Sequence, residues 1–234
     1  MIIPAYNEEE NICKTIQEIE LYKNECDFDL DYIVINDGST DHTYDICLKN
    51  SIHCINLVQN LGIGGAVQTG YIYAKRKNYD IAVQFDGDGQ HDIRSLKAIL
   101  KPIWDGKANF TIGSRFIKKT DGFQSTFMRR VGIKWLSSLI YFLSGKRIYD
   151  VTSGYRAADY RAISLLAKEY PIDYPEPESI MYLLKNGLVI TEVSANMFER
   201  EGGVSSIYSW KAVYYMLKVS LAVICAKLQR KVEI

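Results

Sequence analysis

Short apolar runs, rich in Ile and Val, recur along this chain, and each one ends at a turn signal before a stretch with helical spacing begins. The runs occupy residues 32–35, 54–58, 81–85 and 110–112, and residues 1–3 have the same character. Runs of this length with many β-branched residues indicate buried strands, and their alternation with helices indicates βα units. The sequence therefore predicts an α/β fold, with a mostly parallel sheet covered by helices on both faces.

The first helix is expected to begin soon after residues 1–3. Asn7 is the predicted N-cap, and Glu10 stands three residues later, as in a capping box. Three isoleucines with helical spacing follow as a buried stripe: Ile12, Ile16 and Ile19. The acidic run Glu8-Glu9-Glu10 meets the positive end of the helix dipole. Of this run we expect only Glu8, which is nearest the turn, to contact a ligand.

Size and composition predict one main domain in a reducing compartment. The chain has 234 residues, of which 47% are apolar, and we expect a main domain at 1–207 and a C-terminal segment at 208–234. Basic and acidic side chains number 28 each, which gives no overall field that would favour nucleic acid. The five cysteines show no C-x-x-C spacing, which argues against a disulfide framework or a zinc site. We expect a cytoplasmic protein without a signal peptide.

Residues 208–234 have the spacing of an amphipathic helix. Its predicted apolar stripe is Val213, Leu217, Leu221, Ile224 and Leu228. The longest apolar run without a lysine, residues 219–226, has eight residues, far fewer than the roughly 20 that span a bilayer. Two alternatives stay open. The helix lies at a membrane interface, with Lys211 and Lys218 toward the headgroups, or it packs on the sheet or on a partner subunit.

One predicted strand ends in carboxylates that alternate with glycines, in the sequence DGDGQ at residues 86–90. Two carboxylates about 5 Å apart repel by roughly 3 kcal/mol at an effective dielectric constant near 20, so a divalent cation between them is expected. Hard oxygen ligands suit Mg²⁺ or Mn²⁺, which keep positions open for phosphate oxygens. We predict that Asp86, Asp88 and Gln90 bind this metal and that Gly87 lets the backbone approach the bound group.

Ligands of parallel sheets bind beyond the carboxyl ends of the strands. Three further loops lie at such ends here, at residues 4–8, 36–41 and 60–65. The last is no dinucleotide fingerprint, because Val67 stands where the third glycine of G-x-G-x-x-G would be, and no Walker A sequence occurs. A nucleotide held by these loops would need its diphosphate charge offset by the metal at the acidic motif.

Seven segments follow one another along the chain: IPAYNEEENI (3–12), INDGSTD (35–41), NLGIG (60–64), DGDGQH (86–91), GSRF (113–116), DVTSGYR (150–156) and REGGVSSI (200–207). Together they resemble the family 2 glycosyltransferases of the GT-A fold, and within them the polyprenyl-phosphate sugar synthases such as dolichyl-phosphate mannose synthase. The resemblance implies a donor site whose residues hold the base and ribose of a nucleotide sugar: Pro4, Tyr6, Glu8 and Asp37. It implies that the metal at the acidic motif bridges the diphosphate of that donor.

Four arginines match basic positions of the family. The resemblance implies that Arg115 and Arg200 contact phosphate, and that Arg129 or Arg130 is a further basic residue at the reaction centre. Planar guanidinium groups bind phosphate in a bidentate manner, which suits these roles. In the family's mannose synthases a lysine follows a few residues after the counterpart of Arg200, whereas this chain has SSI at residues 205–207.

A general base is needed for some acceptors only. A lipid phosphate is already ionised, whereas a hydroxyl acceptor needs a carboxylate within hydrogen-bond reach. The candidates are Asp150, Glu176 and Glu178. The resemblance favours Glu178, because the family carries an acidic residue at about this place, before the helix that leads to Gly187. We interpret His91, beside the acidic motif, as a residue that braces the loop.

We therefore predict a metal-dependent inverting glycosyltransferase. It would move a sugar from a UDP or GDP sugar to a polyprenyl-phosphate or other lipid-linked acceptor, at the inner face of the cell membrane, in the synthesis of surface polysaccharide or glycolipid. Two alternatives stay open. One is a sugar nucleotidyltransferase, which the lack of a glycine-rich basic segment after the first strand disfavours. The other is a non-catalytic module that binds a nucleotide sugar.

Overall fold

A seven-stranded sheet is the frame on which the functional loops are mounted. The structure, a computed structural model, describes residues 1–117, 127–198 and 209–231, and for residues 127 and 209–213 the backbone alone. The strands in these residues are β1 (Ile2–Ala5), β2 (Ile33–Asn36), β3 (Cys54–Asn56), β4 (Ile81–Gln84), β5 (Phe110–Ser114), β6 (Arg156–Asp159) and β7 (Ile190–Ser194). The α-helices are α1 (Ile12–Glu25), α2 (Thr43–Lys49), α3 (Gly62–Arg76), α4 (Leu96–Trp104), α5 (Phe127–Ser144), α6 (Tyr160–Lys168), α7 (Pro175–Lys185) and α8 (Ser209–Leu228).

The strands lie in the order β3-β2-β1-β4-β6-β5-β7. β1 pairs in parallel with β2 and β4, β2 with β3, and β5 with β7, whereas β6 runs antiparallel between β4 and β5. The predicted mostly parallel sheet is confirmed, and each predicted run overlaps a strand. Sequence patterns do not reveal β6 and β7, because RAAD and ITEVS mix polar with apolar residues.

Neighbouring residues of the central strands enter two different cores. Consecutive side chains of a strand point to opposite faces of its sheet. Ile2 accordingly packs in a core with residues of α3, α6 and α7, and Ile3 packs in a second core with residues of α1 and α4. Because both faces are buried, successive strand positions must be apolar, which explains the continuous runs in the sequence.

The first helix begins later than predicted. Asn7 has φ 56°, in the left-handed region, and α1 starts at Ile12 with Asn11 at the N-cap position. The prediction that Asn7 caps the helix is therefore wrong, because an N-cap normally has an extended backbone. The carbonyl oxygen of Glu8 instead accepts hydrogen bonds from the backbone N–H groups of Asn11 (3.0 Å) and Ile12 (2.9 Å). The predicted isoleucine stripe is buried, as expected.

The C-terminal helix α8 packs against α5 and α7 and takes part in the core. The residues that it buries are Val219, Val223 and Ala226. The predicted stripe lies on the opposite side, where Leu217, Leu221 and Leu228 are exposed. α8 is therefore apolar on two sides, which corrects the expectation of a simple amphipathic helix. Within the described residues, no helix combines the length and the apolar character that crossing a bilayer requires.

Candidate active site

A cleft opens at the carboxyl ends of β1, β2 and β4. Its volume is about 470 Å³, within the size range of small-molecule sites. It is lined by residues of the predicted ligand loops, the acidic motif and the start of α7: Pro4, Ala5, Tyr6, Glu8, Asp37, Asn60, Gly62, Ile63, Ala66, Asp86, Gly87, Asp88 and Glu176. The fold thus brings the predicted donor residues and both carboxylates of the acidic motif into one site.

Hydrogen bonds tie the loop after β1 to the loop after β2. Asn7 Oδ1 accepts from the backbone N–H of Thr40 (2.9 Å), and Ser39 Oγ accepts from the N–H of Asn7 (3.0 Å). Thr43 Oγ1 accepts from the N–H of Glu8 (2.9 Å). Asparagine adopts the left-handed conformation more readily than most residues, which lets Asn7 form this junction. The wall of the cleft that carries Glu8 is held in place by these bonds.

Asp37 joins the loop after β2 to the start of α3. Its Oδ1 accepts a hydrogen bond from the N–H of Leu61 (2.7 Å). Burial raises the pKa of Asp37 above its usual value, although the N–H groups of Leu61 and Gly62 act in the opposite direction. Gly38 has φ 64°, and a Cβ there would lie 2.7 Å from the backbone nitrogen of Asn60, so only glycine permits this close approach. The carboxylate of Asp37 is thereby fixed at the cleft.

Asp86 is partly buried, and its two carboxylate oxygens have different surroundings. Its Oδ2 lies 3.0 Å from Nε2 of His91, and a Cβ on Gly154 would come within 2.4 Å of the same oxygen. Burial disfavours the ionised form, but His91, Gln84 and Arg156 together hold the pKa of Asp86 below its usual value. Oδ1 of Asp86 is buried and has no hydrogen-bond partner among the described residues. Because buried polar atoms normally have a partner, this oxygen is suited to bind a cation.

His91 braces the acidic motif from the side of the core. Its ring is buried, with the ring centroid 5.4 Å from that of Phe85 and 4.8 Å from that of Tyr155. These contacts fix the imidazole that lies against Asp86. His91 does not line the cleft, which agrees with its interpretation as a brace.

Asp88 lines the same cleft as Asp86, and its Oδ1 accepts a hydrogen bond from the N–H of Gln90 (3.1 Å). Gln90 does not line the cleft, and its carbonyl oxygen accepts from the N–H of Phe198 (2.8 Å). In the parts of the chain that the structure describes, no group of three or more His, Cys, Asp or Glu residues could hold a metal ion. A cation at this motif would therefore need oxygen atoms from a ligand as well as protein carboxylates, an arrangement that is common for Mg²⁺ with phosphate.

Arg156 is a functional candidate that the sequence analysis misses. It is fully buried at the start of β6, where its Nε donates to the carbonyl oxygen of Ser153 (2.6 Å) and its Nη1 to Ser179 Oγ (2.8 Å). Its positive charge favours the ionised forms of both Asp86 and Glu176. The one signal in the sequence is its place as the last residue of the DVTSGYR segment at 150–156, which is among the segments that carry the family resemblance.

Arg115 is bound by a protein carboxylate. Its Nε and Nη2 donate to Oδ2 (2.8 Å) and Oδ1 (2.7 Å) of Asp150, and Nη2 also donates to Thr152 Oγ1 (3.0 Å). Asp150 is fully buried, and the carboxylate of Glu192 accepts the N–H of Asp150 (2.7 Å). This burial and the ion pair with Arg115 count against Asp150 as the candidate general base. Neither Arg115 nor Asp150 lines the cleft.

The two neighbouring arginines of α5 differ in their surroundings. Burial and the charge of Arg115 lower the pKa of Arg129, while nearby Glu176 acts in the opposite direction. Both arginines are exposed at the surface, but Arg130 lies about 100° further around the helix, and no charge of the cleft is found beside it among the described residues. Arg129 therefore fits the further basic position near the cleft better than Arg130 does. The predicted phosphate contact Arg200 lies outside the described residues.

The two acidic candidates of α7, Glu176 and Glu178, differ in whether they line the cleft. Glu176 lines the cleft, and burial raises its pKa above the usual value. Glu178 does not line the cleft, and burial, together with the charge of Asp173, raises the pKa of Glu178 to about 7. Residues two apart on a helix lie on nearly opposite sides, so only one of them can face the cleft. The geometry moves the acidic candidate from the predicted Glu178 to Glu176.

Comparison with known proteins finds one matching family and several similar transferases. The family described as glycosyl transferase family 2 matches residues 1–165. A UDP-N-acetylglucosamine–dolichyl-phosphate N-acetylglucosaminyltransferase of Methanococcus voltae is 28% identical over 244 residues, which cover 94% of this chain and 95% of that protein. A polyprenol monophosphomannose synthase of Mycolicibacterium smegmatis is 29% identical (94% and 84% covered), and an undecaprenyl-phosphate mannosyltransferase of Micrococcus luteus is 31% identical (88% and 86% covered).

A solved structure shares the fold. Glucosyl-3-phosphoglycerate synthase from Mycobacterium tuberculosis, crystallised with Mn²⁺ and UDP-glucose, superposes with a TM-score of 0.69 at 18% identity, over 96% of this chain and 77% of that one. This likeness confirms the expected GT-A type of α/β fold. The family match covers more than half of the chain and includes every loop that lines the cleft except the start of α7. The chain therefore belongs to glycosyl transferase family 2 and is a glycosyltransferase.

Proposed function

We propose that this glycosyltransferase transfers a sugar from a nucleoside diphosphate sugar to a polyprenyl phosphate at the inner face of the cell membrane. The observation that carries the proposal is the convergence of the predicted nucleotide loops and the acidic motif in one cleft. The names of the relatives support the acceptor class, because they specify dolichyl phosphate, polyprenol and undecaprenyl phosphate. Family membership disfavours both alternatives, the sugar nucleotidyltransferase and the non-catalytic module.

The donor nucleotide is proposed to lie across the loops after β1 and β2. Asp37, whose carboxylate is fixed by the N–H of Leu61, accepts hydrogen bonds from the ribose hydroxyls. Pro4, Tyr6 and Glu8 line the part of the cleft that receives the base. The exposed ring of Tyr6 offers a flat apolar surface on which a base can stack.

The acidic motif is proposed to hold Mg²⁺ or Mn²⁺ through Asp86 and Asp88. The unpartnered Oδ1 of Asp86 fits a cation there, and Gly154 leaves the room that the carboxylate occupies. When bound, the ion compensates the charge that develops on the departing diphosphate. Gln90 contributes through its N–H, which orients Asp88, and Gly87 keeps the motif close to β1, because a Cβ there would crowd that strand.

The acceptor phosphate is proposed to attack the anomeric carbon of the sugar directly. A bond forms between a phosphate oxygen and that carbon, the bond from the carbon to the diphosphate breaks, and the configuration at the carbon inverts. Because the attacking oxygen is already ionised, no general base is required. Arg129, on which the charge of Glu176 acts, neutralises the acceptor phosphate. Arg200 is proposed to contact phosphate because of its place in the segment REGGVSSI. Arg115 positions this region through its ion pair with Asp150.

Glu176 favours a second candidate acceptor, a hydroxyl group of a lipid-linked sugar. Such an acceptor needs a base, and a carboxylate that lines the cleft with a pKa raised by burial is suited to that role. Glu176→Gln distinguishes the two acceptors. With a phosphate acceptor the transfer rate should stay close to that of the wild type, whereas with a hydroxyl acceptor it should fall by about 100-fold or more.

The test is sugar transfer by the purified full chain from UDP and GDP sugars, with Mn²⁺ and a short-chain polyprenyl phosphate. We expect release of the nucleoside diphosphate to depend on both the metal and the acceptor. Asp88→Asn should abolish transfer, whereas Asp80→Asn, at an exposed aspartate just before β4, should not. Wild-type transfer by Asp88→Asn, or no release from any donor, would contradict the proposal.

A further inference from the structure

Helices α5 and α8 leave a large apolar surface on the outside of the protein. Its residues are Met128, Val131, Trp135 and Phe142 on α5, and Leu217, Leu221 and Leu228 on α8. We name this surface the outer face. Each of these residues is at least 47% exposed, and their spacing keeps each set on one side of its helix. Monomeric proteins rarely expose an apolar patch of this kind unless something binds to it.

The two helices form this surface together. Nε1 of Trp135 donates a hydrogen bond to Oγ of Ser220 (3.0 Å). A Cβ on Gly132 would lie 3.1 Å from the sulfur of Met216, so the glycine allows the helices to approach closely. The sides of α5 and α8 opposite the outer face are buried in the core, as Leu136 and others show. The exposed side chains therefore form one surface on a rigid base.

Charge is distributed unevenly around the outer face. Residues 127–147 and 209–231 contain ten basic residues and no acidic residue. The basic residues on the two helices themselves are Arg129, Arg130, Lys134, Lys211, Lys218 and Lys227. The whole chain has 28 residues of each sign, so this cluster is offset by acidic residues elsewhere. The partner of the outer face must therefore accept apolar side chains at its centre and positive charge around them.

We propose that the outer face binds the surface of an anionic lipid bilayer. The apolar side chains would enter the boundary between headgroups and acyl chains, and the lysines and arginines would contact negatively charged headgroups. Tryptophan, as at Trp135, is typical of that boundary. A second copy of this chain is a poor occupant, because it would bring the same ten positive charges against those of the first.

The N-terminal parts of α5 and α8 relate the outer face to the cleft. The ring of Tyr215, in the first half of α8, packs against the ring of Tyr174, directly before α7, with the centroids 5.2 Å apart. The first turn of α5 carries Arg129, on which the charge of Glu176 acts. Glu176 lines the cleft. The N-terminal parts of both helices therefore lie beside the cleft, so binding of the outer face would bring the cleft to the membrane surface. The advantage of this position for a lipid acceptor rests on the proposed function, but the binding itself does not.

Flotation of the full chain with lipid vesicles tests the proposal. We expect binding to vesicles of phosphatidylcholine mixed with phosphatidylglycerol, and little binding to phosphatidylcholine alone. Leu217→Gln/Leu221→Gln should weaken binding at least about tenfold, because two leucines no longer enter the lipid. The matched control is Leu21→Gln/Leu48→Gln on α1 and α2, where the leucines are 66% and 59% exposed, against 66% and 62% in the outer face. The control should bind as the wild type does.

A second pair of variants tests the charge. Lys218→Gln/Lys227→Gln should weaken binding to the anionic vesicles about 30-fold, since each basic residue near such a surface contributes about 1 kcal/mol. Lys75→Gln/Lys77→Gln, at exposed positions at the end of α3, removes the same charge elsewhere and should bind as the wild type does. Added salt should weaken wild-type binding in the same direction.

Three results would overturn the proposal: no binding of the wild type to anionic vesicles, equal binding by Leu217→Gln/Leu221→Gln, or a wild-type dimer that this variant abolishes. The last result would assign the outer face to a second copy. Transfer to a water-soluble short-chain acceptor, measured in parallel, separates failure of the membrane proposal from failure of the proposed function. We expect Leu217→Gln/Leu221→Gln to keep the wild-type rate in that assay.

Discussion

At the scale of single residues, Gly154 leaves room for the carboxylate of Asp86 because it has no side chain. A methyl group on Gly154 would lie 2.4 Å from Oδ2 of Asp86, so the carboxylate would have to move. We expect Gly154→Ala to lower the rate of sugar transfer by about 100-fold, since a displacement of about 1 Å at a reaction centre has an effect of that order. The measurement is kcat, together with the unfolding temperature.

Gly145→Ala is the control for this substitution. Gly145 has φ 73° and open space around it, so a methyl group there strains the backbone by about 1 kcal/mol without touching the cleft. This variant should unfold at a lower temperature and keep the wild-type kcat. Equal kcat values for Gly154→Ala and the wild type would contradict the role of Gly154.

The ion pair between Arg115 and Asp150 should stabilise the fold. The two side chains are only 10% and 0% exposed, so Asp150→Ala leaves a positive charge buried without its partner. We expect the free energy of unfolding to fall by about 3–5 kcal/mol. Asp27→Ala, which breaks an exposed pair with Lys97, should change it far less, because water screens that pair. Urea unfolding measures both, and similar losses in the two variants would count against the prediction.

Glu178 should destabilise the folded state as the pH rises. Burial raises its pKa from 4.5 to about 7 on folding, so the folded state resists ionisation that the unfolded state permits. The stability that the protonated Glu178 contributes is complete below pH 4.5 and is lost as the pH rises through about 7. Glu178→Gln should flatten the fall in unfolding temperature across this range and leave sugar transfer intact.

Glu25→Gln, at an exposed position on α1, is the control and should keep the wild-type pH dependence. An unchanged pH dependence in Glu178→Gln would show that the fall has another source. Loss of transfer in that variant would restore Glu178 as the acidic residue of the site.

The sequence predicts some site residues better than others for a geometric reason. Residues that follow strands of a parallel sheet must meet at one edge, so the sequence alone predicts that Asp37 and Asp86 lie in one site. The choice between Glu176 and Glu178 depends on the rotation of a helix, which a two-residue spacing does not define. The burial of Asp150 depends on Arg115, 35 positions away, and no local pattern reports it.

At the scale of elements, the predictability of a segment depends on how many of its sides are buried. The central strands are buried on both faces, so they carry continuous apolar runs that identify them. β6 is short, mixed in polarity and antiparallel, and no local signal marks its place between β4 and β5. α8 has apolar residues on two sides, so spacing alone cannot tell which side meets the protein.

Substitutions on the two sides of α8 should separate their roles. Val219 and Val223 are fully buried, so Val219→Ser/Val223→Ser should lower the free energy of unfolding by about 2–5 kcal/mol. Leu217→Gln/Leu221→Gln, on the outer face, should change it by less than about 1 kcal/mol. Urea unfolding without lipid is the measurement. The reverse order of the two effects would mean that α8 packs through the stripe predicted from its sequence.

At the scale of the whole molecule, a ligand in the cleft should stabilise the fold, because the loops that follow β1, β2, β3 and β4 meet the start of α7 there. A nucleoside diphosphate sugar at about 100 times its dissociation constant, with Mn²⁺ present, should add about 2.7 kcal/mol to the free energy of unfolding. Thermal unfolding with a panel of UDP and GDP sugars measures this effect and identifies the donor. Chelation of the metal should reduce the shift, and no shift with any donor would contradict the donor site.

The position of β6 also bears on how the enzyme matures on the ribosome. The loop before β6 supplies Gly154 against Asp86, and β6 itself supplies Arg156, yet both are translated long after the acidic motif. A nascent polypeptide that has emerged only as far as α5 already carries the nucleotide loops and both carboxylates, but β4 still lacks its antiparallel neighbour. Pairing between distant strands forms slowly. We therefore expect translation intermediates to carry the proposed donor-binding residues without β6 beside β4, and to become active only when β6 has joined the sheet.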